Sequence, residues 1–412
     1  MTARKLFMLI LPVLLLMAAA CTANAEEAEN LTPRCTVKLA SKGRQASKIT
    51  DGDYRSYWES EKAKQPWVTL SSPEPIYGLY LCFEHMPESY VVEQASGSGW
   101  VTAAEGDTRF HHVFYELDGA KKIRIRSTAE GKTQIGFKEI FAFGAGEIPD
   151  WVQRWEDPLE KADILFIATH PDDDILFLGG GITYYHAERG AKVQVAYLTW
   201  SNTTRRSEAL NGLWTMGIRN YPDFGGFRDT YTNPGTDLKA AYQAAGGKEK
   251  VLEWVTGMFR RYRPEVVVTQ DIAGEYGHPQ HRMVANAAVQ CWDRSGDAAQ
   301  HPVSAEKYGT WEVKKLYIHL YGEEAQSTRF DWEVPLESLG GKTVIQVLEE
   351  AYALHVTQAN SGWKFHGKRI PFSVREYGVK RYPNNRFGLY ASRVGEDTAH
   401  DDFLENVNGA DE

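Results

Sequence analysis

The apolar positions change rhythm once along this chain. Between residues 30 and 146 they fall in short alternating or β-rich runs, "PWVTL", "IYGLYLCF", "HHVFYEL", "KKIRIRS" and "GFKEIFAFG", separated by Gly, Ser, Asp and Pro clusters. No long amphipathic helix interrupts them, which is the pattern of a β-sandwich. The rhythm breaks in "AGEIPDWVQRWEDPLEKAD", with Pro149 and Pro158, so residues 147–160 read as a linker. From Ala162 onward strands alternate with helices. "ADILFIAT", "VQVAYLTW" and "PEVVVTQ" are buried strands, "ILFLGGGITYYHAERG" is a helix stopped at Gly190, and "EKVLEWVTGMFRRYR" is an amphipathic helix. Strands apolar on both faces with helical crossovers predict a parallel sheet, whose ligand crevice lies beyond the carboxyl ends of the strands.

The first residues read as a targeting segment. Arg4 and Lys5 precede an apolar stretch and the small residues Ala23, Asn24 and Ala25, the form of a secretory signal over residues 1–25. Two endings are open: cleavage after Ala25, or a lipobox in "MAAAC" with Cys21 acylated, which alone would hold the protein on a membrane. Secretion or a cell-surface location is expected either way. The formal charge is −9 and becomes more negative once Arg4 and Lys5 are gone, which argues against nucleic acid as a partner. Cys35 and Cys82 are candidates for pairing outside the cell, and with no C-x-x-C a cysteine-based zinc site is excluded. The last residues, 401–412, read as a frayed acidic tail.

Chemistry concentrates at two strand ends. "THPDDD" places His170 and the aspartates 172, 173 and 174 directly after a buried strand. Three adjacent carboxylates repel one another unless a cation shares their space. Alone they would serve equally as a helix N-terminal cap. "EYGHPQH" follows a later strand and opens a helix near His281, with Met283, Val284, Ala287, Ala288, Cys291 and Trp292 as its apolar stripe. Two imidazoles and a carboxylate make an ordinary zinc ligand set with a fourth position open. Gly179, Gly180 and Gly181 lack phosphate-loop spacing and read as close helix packing, and no G-x-S-x-G nucleophile follows a strand.

Together, these two motifs resemble the PIG-L/LmbE-like family of zinc-dependent N-deacetylases, over roughly residues 161–375 and including "TTRRSEALNGLWTMGI" and "EEAYALHVTQ". The resemblance implies an α/β, Rossmann-like catalytic domain, here bounded as residues 161–400, and zinc on His170, Asp173 and His281. It implies Asp172 as the general base that takes a proton from the attacking water. His278 would steady or protonate the tetrahedral intermediate, Tyr276 would assist at the developing oxyanion, and Arg205, with Arg206 as competitor, would grip the sugar. Two positions depart from the family: Asp174 stands where glutamate is usual, and "HPQH" puts Gln280 where an aspartate is usual. Without that charge, His278 is expected to be less often protonated and a weaker acid.

The N-terminal stretches "ASKITDGDYRSYWES", "QPWVTLSSPEPIYGLYL" and "IGFKEIFAFG" resemble a discoidin or coagulation-factor C-type module, a galactose-binding-like all-β sandwich, here bounded as residues 26–146. Many such modules hold a structural calcium ion. Asp51, Asp53, Ser56 and Glu139 are the matching candidates here, and oxygen donors suit calcium, while a Gly-Asp turn with no metal accounts for the same residues equally well. Trp58 and Trp67 read as core residues rather than sugar platforms. The expected protein is a secreted, zinc-dependent hydrolase that removes N-acetyl groups from amino sugars in glycans. The alternatives are a hydrolase of another acyl amide or ester, or a glycan-binding surface protein whose α/β domain is inactive.

Overall fold

The computed structural model describes residues 26–40, 46–200, 202–230, 237–359, 362–365 and 368–407. The expected leader, residues 1–25 with Cys21, and the last residues, 408–412, lie outside them. Among the described residues no helix is long and apolar enough to cross a membrane.

The N-terminal part is β-rich. Strands β1 (Thr36–Leu39), β2 (Trp58–Glu59), β3 (Trp67–His85), β4 (Tyr90–Ser96), β5 (Gly99–Gly106), β6 (His112–Ser127) and β7 (Gly136–Phe143) form a seven-stranded antiparallel sheet. Its order is β2-β7-β3-β6-β4-β5, with β1 paired to the start of β3. Runs that look separate in the sequence are continuous: "PWVTL" and "IYGLYLCF" both lie in β3, a 19-residue strand. The polar interruption between them is a register shift between Ser71 and Ile76, around Pro73 and Pro75, which cannot donate to the ladder. Side chains alternate along β3, so Leu79, Leu81 and Phe83 enter one core while Tyr80 and Cys82 enter a second with Phe143 and Val152. The expected pairing of Cys35 with Cys82 is not made; both are free thiols.

In the second part, β8 (Ile164–Ala168), β9 (Val193–Thr199), β10 (Asp223–Phe227), β11 (Val266–Thr269) and β12 (Lys315–His319) run parallel in the order β10-β9-β8-β11-β12. The expected parallel sheet is nevertheless mixed. β14 (Arg386–Ser392) pairs antiparallel with β12 and carries β13 (Thr328–Arg329) on its outer side. β14 starts opposite His319, at the carboxyl edge of the sheet, and a strand entering from that edge can only run antiparallel.

Among the described residues the α-helices are α1 (Asp173–Leu176), α2 (Gly179–Thr183), α3 (Thr203–Thr215), α4 (Leu238–Ala244), α5 (Lys248–Tyr262), α6 (Pro279–Arg294), α7 (Pro302–Tyr308), α8 (Val344–Ala353) and α9 (Val356–Ala359). Residues of α1, α2, α3 and α8 pack on one face of the sheet with Ile164 and Phe166 of β8, and residues of α4, α5 and α6 on the other with Leu165 and Ile167. The single helix expected from Ile175 to Gly190 is broken into α1, α2 and a π-helical turn at Tyr184–Glu188. Asn384 causes the break: its amide donates to the carbonyls of Ile175 at 3.1 Å and Leu176 at 3.4 Å, which an unbroken helix would use itself. A Cβ on Gly180 would lie 2.4 Å from the Asn384 carbonyl oxygen, and one on Gly181 2.9 Å from Phe166, so close packing accounts for these glycines.

The expected frayed tail is also corrected over residues 401–407. Phe403 and Val407 are buried, and the Phe403 ring stacks on Tyr185 at 4.5 Å. A buried ion pair between Lys315 and Asp397, with the Tyr317 hydroxyl on the same carboxylate, ties the segment just before them to β12.

The two parts meet along α3. His112 of β6 contacts Ser207 Oγ through Nε2 at 3.0 Å and Gln153 Oε1 through Nδ1 at 2.8 Å, while the Gln153 amide donates to Asn211 Oδ1 at 2.6 Å. The Tyr80 hydroxyl lies 3.0 Å from the same Nδ1, so every hydrogen-bond partner of this imidazole is neutral, and burial pushes the pKa of His112 down to about 3.

Candidate active site

Four segments reach the carboxyl edge of the parallel sheet with polar side chains: His170 after β8, Gln270 after β11, the Glu275–His281 turn that opens α6, and His319 at the end of β12. His170 is followed by a sharp turn in which Asp172 has φ 120° and ψ −25°. That conformation is strained for a residue with a Cβ, costing on the order of 1–3 kcal/mol, and such strain concentrates at functional sites. Two contacts hold it: the Asp172 N–H donates to Asp174 Oδ1 at 2.9 Å, and Arg205 Nη2 donates to Asp172 Oδ1 at 2.6 Å. The three aspartates therefore face three different groups. Asp172 meets Arg205, Asp173 accepts from the His170 N–H at 2.7 Å, and Asp174 fixes the backbone of Asp172.

His170 Nδ1, Asp173 Oδ2 and His281 Nε2 form a nearly equilateral triangle. Its edges are 3.1 Å between His170 and Asp173, 3.3 Å between His281 and Asp173, and 3.3 Å between the two imidazoles. Tetrahedral ligands at zinc bond lengths of about 2.0–2.1 Å stand about 3.3–3.4 Å apart, so the three atoms fit one face of a zinc site. His278 stands nearby, and one ring nitrogen from each of His170, His278 and His281 lies within 4.8 Å of the others.

The surroundings set the imidazoles for this task. His281 faces Glu275 Oε2 through Nδ1 at 2.8 Å, which turns its Nε2 toward the triangle. Glu275 Oε1 in turn meets His319 Nδ1 at 2.6 Å. His170 faces Gln280 Oε1 through Nε2 at 3.1 Å, leaving Nδ1 for the triangle. The Gln280 carboxamide is itself held by the Thr230 N–H at 3.2 Å and the Arg228 carbonyl at 3.0 Å. Burial alone would lower the pKa of His281, yet Asp173 and Glu275 outweigh it and hold it at about 10. In physical terms, the cluster is a buried place that favours positive charge. Burial pushes the Asp172 carboxyl up to about 6, with Arg205 pulling the other way.

The remaining candidate residues separate. Tyr276, with φ 48°, meets the rings of His278 at 5.6 Å and His281 at 5.5 Å edge-on. His278 caps α6, accepting from the Gln280 N–H through Nδ1 at 3.2 Å, so its Nε2 is the donor. The expectation for Gln280 is corrected in its cause: the carboxamide lies against His170, and burial together with the neighbouring imidazoles lowers the pKa of His278 to about 2. Arg205 lies at the site beside Asp172, but Arg206 does not. Successive helical residues point about 100° apart. The Arg206 guanidinium is sandwiched between Trp200 at 4.1 Å and Phe224 at 4.6 Å and contacts His111 Nε2 at 3.3 Å, toward the β-rich part.

Two functional neighbours escaped the sequence reading. Glu275 opens "EYGHPQH", and a carboxylate six residues ahead of a candidate ligand histidine is a readable signal. His319 ends "KLYIH", a strand whose carboxyl end points to the same crevice.

In the β-rich part, Ser56 Oγ donates to Asp51 Oδ2 at 2.9 Å, while the Asp53 carboxylate is turned onto Arg55 at 2.8 Å. Glu139 is fully buried, neither of its oxygens has a hydrogen-bond partner, and burial next to Asp51 pushes its pKa to about 8.

Residues 165–292 match the family described as PIG-L: GlcNAc-PI de-N-acetylase. A 1D-myo-inositol 2-acetamido-2-deoxy-alpha-D-glucopyranoside deacetylase of Geodermatophilus obscurus is 25% identical over 279 residues, covering 60% of this chain and 92% of that protein. Among solved structures, N,N'-diacetylchitobiose deacetylase from Pyrococcus horikoshii aligns with TM-score 0.38 and 19% identity over 56% of this chain and 85% of that one. CpGH89CBM32-6, produced by Clostridium perfringens, aligns with TM-score 0.25 and 18% identity over 28% of this chain and 100% of that one. The segment that carries both histidine motifs, residues 165–292, is thus similar to the PIG-L family of deacetylases.

Proposed function

We propose that this chain is an exported, zinc-dependent amide hydrolase that removes N-acetyl groups from N-acetylated amino sugars within glycans. The observation that carries the reading is the triangle of His170 Nδ1, Asp173 Oδ2 and His281 Nε2, with edges of 3.1–3.3 Å. The substrate class rests on the deacetylase names of the similar proteins, and export on the signal-like residues 1–25.

Zinc, when bound, supplies Lewis acidity: it polarises a carbonyl and acidifies water to a pKa of about 7. The chain's own residues do the rest. Asp172, held by Arg205 and with its pKa raised toward neutrality, takes a proton from the attacking water and returns it to the departing amine. His278 is neutral at working pH and carries its hydrogen on Nε2, so it serves the developing oxyanion as a hydrogen-bond donor rather than as an acid. Tyr276, edge-on to both imidazoles, closes the same side.

Residues 26–146 form the glycan-associated module in this reading, 147–160 the linker and 161–400 the catalytic domain. A calcium ion on Asp51, Ser56 and Glu139 would meet the unpartnered carboxylate oxygens of Glu139. The test is acetate release from an N-acetylglucosamine oligosaccharide by metal-stripped protein. Activity should return in proportion to added zinc, and a stripped protein that deacetylates at the full rate would refute the proposal.

A further inference from the structure

The β-rich part touches α3 a second time, at the helix start. Lys138 of β7 is 1% exposed, and its ammonium group is bonded to Glu84 Oε2 of β3 at 2.9 Å and to Thr204 Oγ1 at 2.9 Å. The Tyr57 ring covers it at 5.3 Å. Glu84 also accepts from the Thr203 hydroxyl. Thr203 and Thr204 are the first two residues of α3, Asn202 caps it by accepting from the Arg205 N–H at 3.0 Å, and Arg205 then reaches Asp172 at 2.6 Å. Because consecutive helical side chains fan out by about 100°, fixing both threonine hydroxyls on one side fixes where Arg205 points on the other. A buried ion pair contributes little net stability over an apolar pair of the same volume. What it adds is direction, through charge-assisted hydrogen bonds.

We infer that Glu84 and Lys138 are positioning residues: they clamp the first turn of α3 so that Arg205 holds Asp172, making the β-rich part a working component of the catalytic site. The inference rests on the roles proposed above for Asp172 and Arg205. In the full-length, zinc-loaded protein, Lys138→Met with Glu84→Leu replaces the clamp by an apolar contact, and Thr204→Val removes only the hydroxyl that Lys138 bonds. Acetate release from an N-acetylglucosamine oligosaccharide should show kcat down about 10- to 100-fold for the paired variant, the scale of a misplaced catalytic group. The fall should be smaller for Thr204→Val, with KM and zinc affinity unchanged in both. Adding Arg205→Ala to either should cost no more than Arg205→Ala alone. Wild-type kcat in the folded variants, or losses that multiply with Arg205→Ala, would overturn the inference. If the paired variant does not fold, Thr204→Val decides alone. Arg205→Ala and Asp172→Asn separate the two readings. If neither lowers kcat, the site assignment itself fails. If both do while the clamp variants stay wild-type, only the clamp fails.

Discussion

His112 and His281 are both fully buried imidazoles, and their surroundings drive them in opposite directions. His112, at the junction of the two parts, faces the amide of Gln153 and the hydroxyl of Ser207, and its pKa falls to about 3. His281 faces the carboxylates of Asp173 and Glu275, and its pKa rises to about 10. Desolvation is common to both, so the charge of the partners decides the sign. A buried imidazole among neutral partners is a structural joint. One set among carboxylates, with its Nε2 3.3 Å from two further donor atoms, favours positive charge there, carried by its own proton or by a bound cation. The buried carboxylate of Asp397 makes the same point from the other side: Lys315 supplies its cation within the chain.

The contrast can be broken at four places. The largest effect is expected for Asp172→Asn, which removes the proton acceptor but none of the triangle. Turnover should fall about 10²- to 10⁴-fold while zinc content, measured on the same sample, stays at the wild-type level. Next is Glu275→Gln, which gives His281 a neutral partner like that of His112 and should weaken zinc binding about 10- to 100-fold in competition with a chelator.

The junction histidine offers a pH test. An imidazole that titrates near 3 in the folded chain and near 6.5 unfolded binds its proton only when unfolded between those values. Its contribution is therefore complete above about pH 6.5 and is lost as pH falls, at about 1.4 kcal/mol per pH unit. Between pH 7 and pH 5, wild-type protein should lose about 2 kcal/mol more unfolding free energy in urea than His112→Gln. Equal losses would mean that His112 is not held neutral. The smallest effect concerns calcium. At about ten times its dissociation constant it should raise the unfolding free energy by about 1.4 kcal/mol, and Glu139→Gln should abolish the gain. The gain should be larger at pH 8 than at pH 5, because the ion must displace the proton that Glu139 holds up to about pH 8.

The parts of this molecule that could be read in its sequence are those where local pattern and tertiary role agree. "ADILFIAT" and "VQVAYLTW" are apolar on both faces because both faces of β8 and β9 are covered, and the residues after β8 lie at the crevice because parallel sheets open there. His170, Asp173 and His281 come together for that reason. What could not be read depends on contacts between distant segments. Nothing local in "ILFLGGG" announces that Asn384, more than two hundred positions away, takes the carbonyls of Ile175 and Leu176 and breaks the helix. Residue 280 was expected to tune its neighbour His278, but its carboxamide turns to His170, 110 positions earlier. Arg205 and Arg206 look equivalent in sequence, and only the 100° step of the helix divides them between the site and the junction.

In the proposed site one dication joins His170, Asp173 and His281. X-ray absorption at the zinc edge of full-length protein, purified without added chelator and quantified for metal, tests it directly. One zinc per chain with two imidazole nitrogens and carboxylate oxygen at about 2.0–2.1 Å is the expected result, unchanged in His278→Ala and lost in His281→Ala. A metal-free chain, or three imidazoles around the ion with one lost in His278→Ala, would contradict it.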